Sequence, residues 1–144
     1  MSRRKVFIGV GILIIVASTL VGYFRFRVVS HQFVGAFERV EGDAVITTGR
    51  FISEEHPEIN TPDHNKTVKV LITPETQIVK ILLQLPQSGG FYADDLPKEE
   101  KIVTLQELSQ EKFIDLNITA AGNIYNKSEF KAQRIEYRVG ISSN

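Results

Sequence analysis

Side chains able to bind metal or move protons are concentrated in two stretches. Residues 53–66, SEEHPEINTPDHNK, hold Glu54, Glu55, His56, Glu58, Asp63 and His64. Imidazole and carboxylate are ligands for zinc and for hard cations, so Glu55, His56, Asp63 and His64 form the candidate metal set. His56 and His64 flank Pro57 and Pro62 at a spacing unlike known ligand patterns, and the competing reading is a solvated acidic loop. Residues 86–100, PQSGGFYADDLPKEE, hold Asp94, Asp95, Glu99 and Glu100. Adjacent carboxylates can serve acid–base chemistry only in a rigid pocket, which a polar loop does not promise. Phe91 and Tyr92 follow Gly89 and Gly90, where apolar bulk has no strand to belong to. They either plug the core or, with Asp94 and Asp95, contact a protein partner.

No Ser-His-Asp pattern, phosphate loop or HExxH helix is present. The chain has no Cys, which excludes thiol catalysis, Cys-based zinc sites and a disulfide framework. No catalytic residue and no cofactor are assigned, and the chain is expected not to be an enzyme.

The elements that position these loops are β-strands. Phe33–Glu41 and Ala44–Ile52 flank Gly42-Asp43, a turn pair, and form a hairpin or one bent strand. Val68, Val70 and Ile72 alternate within Thr67–Thr73, and Pro74-Glu75 ends that run. Thr76–Leu85 resumes with Val79, Ile81, Leu83 and Leu85 in phase, and Ile78 and Leu82 on the opposite side. Thr104 and Glu107 fit a capping box that opens a short helix over about residues 105–110. Phe113–Ala120 places Ile114, Leu116 and Ile118 inward and Asp115, Asn117 and Thr119 outward. Glu129–Val139 changes phase near Gln133-Arg134, which suggests a bulge. This order predicts a mainly β, OB-like five-stranded barrel, with one short helix between the third and fourth strands.

Ahead of the barrel, Val6–Phe24 reads VFIGVGILIIVASTLVGYF with no charged residue. As a helix at ~1.5 Å per residue it spans roughly 28 Å, close to a hydrocarbon core of about 30 Å. Val6, Ile8, Leu13, Ile14, Ile15 and Leu20 supply its apolar surface, and Tyr23 and Phe24 suit the interface. The run is long for a signal peptide and lacks a small-x-small cleavage site, so an uncleaved signal anchor over residues 1–28 is expected. Arg3, Arg4 and Lys5 favour a cytoplasmic N-terminus, with residues 29–144 as an extracytoplasmic domain. Basic and acidic residues balance over the chain, yet the five bases before residue 28 leave the remainder net acidic. An acidic domain repels phosphate backbones, which argues against a nucleic-acid partner.

Four segments carry a resemblance: GAFERVEGDAVIT from Gly35, VKVLITPETQIV from Val68, LQEL from Leu105, and FKAQRIE from Phe130. With the strands placed, this region resembles a bacterial family of small exported OB-like β domains of unknown function. Ser109–Lys112 stands where that family has a glycine-containing turn, and the family offers no catalytic residues to carry over. The architecture also resembles a haem chaperone of cytochrome maturation, which joins one anchor to an OB-like barrel. That chaperone's haem-attaching His follows its last strand, whereas residues 140–144 here contain none. The expected function is a non-enzymatic, membrane-anchored binding or assembly module at the outer face of the cytoplasmic membrane, with a protein partner. The alternative is an anchored carrier of a small ligand, metal or haem.

Overall fold

A computed structural model describes residues 28–85 and 96–142. Val6–Phe24 lies outside these residues, as do Phe91, Tyr92, Asp94 and Asp95. Among the described residues no helix is long and apolar enough to cross a membrane. The elements are β1 (Gln32–Glu41), β2 (Ala44–Ile52), two 3-10 turns (Pro57–Asn60 and Pro62–His64), β3 (Lys66–Leu71), β4 (Gln77–Leu85), β5 (Lys98–Ile102), α1 (Leu105–Ser109), β6 (Asp115–Thr119), β7 (Glu129–Lys131) and β8 (Arg134–Ser142). The protein is mainly β. Eight described strands form one sheet in the order β5-β4-β8-β6-β1-β2-β3-β7, with little helix.

The strand count corrects the expectation of five, for three physical reasons. Residues 33–52, counted as one bent strand, are two strands, β1 and β2, joined by a turn at Gly42-Asp43. The phase change before Arg134 appears as a break at Ala132-Gln133 that separates β7 from β8. Finally, Lys98–Ile102, whose first three residues read as loop, pairs antiparallel with β4 although all five residues are exposed. The first acidic loop also holds more regular structure than its prolines suggest. Pro57 and Pro62 each sit in the first turn of a 3-10 segment, where a missing N–H costs nothing, and Ile59 is buried beneath.

β1 and β2 form a hairpin across Gly42, whose φ of 59° meets the turn's need for a left-handed residue. Gly35 and Gly49 face each other in the pair. A methyl built on Gly49 would collide with the Val34 carbonyl, so the two backbones approach closely only because both residues lack a Cβ. Phe33 and Phe51 meet edge-on at 5.1 Å, Phe130 joins them, and Val45, Val70, Leu116, Ile118 and Ile135 complete the main core.

β4 is apolar on both faces. Ile78 enters the main core, while Val79, Ile81 and Leu83 form a second cluster with Leu96. Thr104 caps α1 as predicted: its hydroxyl accepts from the Glu107 N–H, and the Glu107 carboxylate accepts from the Thr104 N–H.

The segment leading into β1 is fastened to the domain. Ser30 is buried, and its N–H donates to Asn123 Oδ1 at 3.0 Å. Asn123 Nδ2 donates to the Val28 carbonyl at 3.1 Å, and the Ile124 N–H donates to the Ser30 carbonyl at 2.8 Å. His31 Nδ1 donates to the Gly122 carbonyl at 2.7 Å.

Candidate functional site

The sheet face turned away from the main core is continuous across five strands. Register sets Arg50, Val34, Asn117, Glu136 and Val79 side by side along it. Strict alternation along β6 sends Asp115 and Asn117 to this face while Leu116 and Ile118 fill the core. A groove of about 400 Å³ runs along the face, with Val34, Ile81, Asp115, Asn117 and Arg138 in its walls. Its polar side chains are held in place. Gln32 Nε2 donates to Asn117 Oδ1 at 2.6 Å, and Glu136 accepts from Arg134 Nε at 2.5 Å. This pairing with Glu136 holds the Arg134 guanidinium above its ordinary pKa. Arg50 Nε is buried without a hydrogen-bond partner among the described residues, an uncommon state for a polar atom.

Phe113 lines the same groove and is fully exposed. Its φ is 57°, in the left-handed region that bulky side chains avoid. Its neighbour fixes it there. Ile114 is buried, and its carbonyl accepts from the Phe37 N–H at 3.0 Å, which pins the chain just before β6. Backbone strain combined with an exposed aromatic ring at a groove rim is a pattern found at binding surfaces. Phe113 was not among the sequence candidates, because it reads as the first residue of a strand that in fact begins at Asp115. The signal was present in the alternation, which puts residue 113 in phase with outward-facing Asp115 and Asn117.

A second cleft, about 320 Å³, lies between α1 and the sheet. Lys80 Nζ pairs with Glu111 Oε1 at 2.6 Å, and the Tyr137 hydroxyl donates to the same oxygen at 3.4 Å. Burial, reinforced by the Glu111 charge, pushes the Tyr137 hydroxyl up to about 12. Hydrogen bonding from the Thr104 N–H holds the Glu107 carboxyl below its ordinary value. The Glu111 contacts fasten the chain just after α1 to β4 and β8. A third concavity, about 870 Å³, lies between residues 73–75 and the chain from Ala121 to Gln133, with Leu71, Ile124 and Phe130 beside Lys127 and Lys131.

The candidate metal residues occupy the loop between β2 and β3. His56 Nδ1 pairs with Glu58 Oε1 at 2.9 Å, and Glu55, Asp63 and His64 are exposed. Hydrogen bonding from its own backbone N–H, then from His56, lowers the Glu58 carboxyl pKa. Among the described residues no group of three or more His, Asp or Glu side chains could hold a metal ion. The structure therefore does not bring Glu55, His56, Asp63 and His64 together as a ligand set. Compared with protein families, curated proteins and solved structures, the chain matches none.

Proposed function

We propose that this chain is a membrane-anchored, non-enzymatic binding or assembly module whose β domain sits at the outer face of the cytoplasmic membrane and meets a protein partner through the Phe113 groove. The observation that carries this reading is Phe113 itself, a fully exposed ring on a left-handed backbone at the edge of an ordered groove. The apolar, uncharged Val6–Phe24 supports the anchor, and the basic residues before it support a cytoplasmic N-terminus.

The domain is read as an OB-like barrel. Supporting this, β3–β4 and β7–β8 can each be counted as one interrupted strand. The Ala132 N–H donates to the Leu71 carbonyl, and the Gln77 N–H donates to the Gln133 carbonyl, bridging both interruptions. With β5 set apart as an edge addition to β4, five strands remain. The first pairs with the second and fourth, the third runs parallel to the fifth, and the fifth pairs with the fourth.

The test is photo-cross-linking in native membranes, with Phe113 replaced by p-benzoylphenylalanine in the full chain. A discrete protein adduct at position 113, absent when the same probe replaces Lys69, is expected. Equal or no labelling at position 113 overturns the reading. A second reading, an anchored small-ligand or haem carrier, is favoured by the 870 Å³ concavity. It requires a small molecule retained by the full chain in native mass spectrometry.

A further inference from the structure

Resting on the binding-module reading, we infer that the partner at the Phe113 groove is a second copy of this chain, related by a two-fold axis. An isologous contact needs one surface patch that carries both a projection and the recess that receives it. This patch does. The Phe113 ring projects fully into solvent, and the groove beside it has Val34 and Ile81 in its walls. A two-fold axis through the patch sets each ring over the other copy's groove.

Charge agrees. The domain as a whole is net acidic, so most of its surface opposes a second copy. The groove carries both signs, with Asp115 facing the same space as Arg138, and Glu136 is neutralised by Arg134. A copy turned by the two-fold can set acid against base rather than like against like.

Size sets the strength. Two aromatic rings bury roughly 300–500 Å² together, well below the ~1,000 Å² of a stable soluble complex. The contact is therefore weak in dilute solution and becomes populated where the anchors hold copies in one bilayer at high effective concentration. Strain at Phe113 has the same explanation. The backbone holds the ring outward before the partner arrives, so little ordering remains to be done on binding.

The chain has no Cys, so a single introduced thiol reports only its own surroundings. Ala36 is exposed on the same sheet face and pairs with Asp115 in register. Full-length Ala36→Cys, oxidised or treated with a short bis-maleimide in membranes, should give a cross-linked dimer, whereas Lys69→Cys should not. Adding Phe113→Ala should lower dimer yield by about tenfold or more, with an unchanged circular-dichroism spectrum. No dimer, or a dimer indifferent to Phe113→Ala, overturns the inference. A position-113 photo-adduct with a different protein, without an Ala36→Cys dimer, overturns the second copy while leaving the binding module standing. Loss of every position-113 adduct overturns both.

Discussion

A phenylalanine ring in water and a left-handed backbone at a bulky residue are separate penalties, and residue 113 carries both. Left-handed backbone costs an L-residue about 1–2 kcal/mol, and glycine avoids most of it. Phe113→Gly should therefore raise stability, by roughly 0.5–1 kcal/mol in chemical denaturation, while abolishing the position-dependent contact. A stabilising change that removes binding marks a residue kept for its surface; destabilisation on removing the ring would show that it packs instead. Tyr137 is the opposite case, a polar tip buried for structure. Burial pushes its hydroxyl up to about 12, above the ordinary value of 10. The folded state thus holds the proton more tightly than the unfolded chain. The stability this provides is complete below pH 10 and is lost as pH rises through 12. Ultraviolet titration should show one tyrosine ionising late or only on unfolding, and Tyr137→Phe should remove that phase. Residue chemistry was only partly legible. Glu55, His56, Asp63 and His64 looked like ligands by type, yet side-chain direction in a proline-rich loop is set by local turns that composition does not encode. Phe113 was overlooked because its hydrophobicity reads as core until its phase is counted.

Elements were legible wherever burial is one-sided. β6 alternates because one face meets the core and the other water, and its inward residues Leu116 and Ile118 are fully buried. The capping box at Thr104 and the turn at Gly42-Asp43 are local chemistry and form as read. β5 was not legible, since Lys98–Ile102 has no buried side chain and exists through backbone pairing to β4. Its four charged residues, Lys98, Glu99, Glu100 and Lys101, suit an edge strand that must not recruit another chain. The β1–β2 hairpin makes a sharper claim. Gly35 and Gly49 allow a backbone approach that a single methyl would block. Gly49→Ala should destabilise the domain by roughly 3 kcal/mol or more, read as a large fall in melting temperature. An unchanged melting temperature would mean the hairpin can open without loss.

At the scale of the molecule, the mainly β class follows from period-two patterning, while the division into eight follows from the turn at Gly42-Asp43, the break at Ala132-Gln133 and the backbone-paired β5. The segment entering β1 is already tied to the domain at Val28. Asn123 holds the entering segment through the Val28 carbonyl and the Ser30 N–H, so a segment only a few residues from Phe24 has a fixed direction of approach. The proposed anchor with a cytoplasmic N-terminus predicts that the whole β surface is exposed on the far side of the bilayer. Lys69 lies exposed on β3, and the chain contributes no other thiol once it becomes Lys69→Cys. Labelling of this full-length variant with a membrane-impermeant maleimide, in intact spheroplasts and after lysis, tests the anchored, exported domain most directly. Labelling of intact spheroplasts equal to that after lysis, with the protein remaining in the membrane pellet through an alkaline carbonate wash, is the expected result. Labelling that appears only after lysis, or release of the protein by the wash, would contradict it.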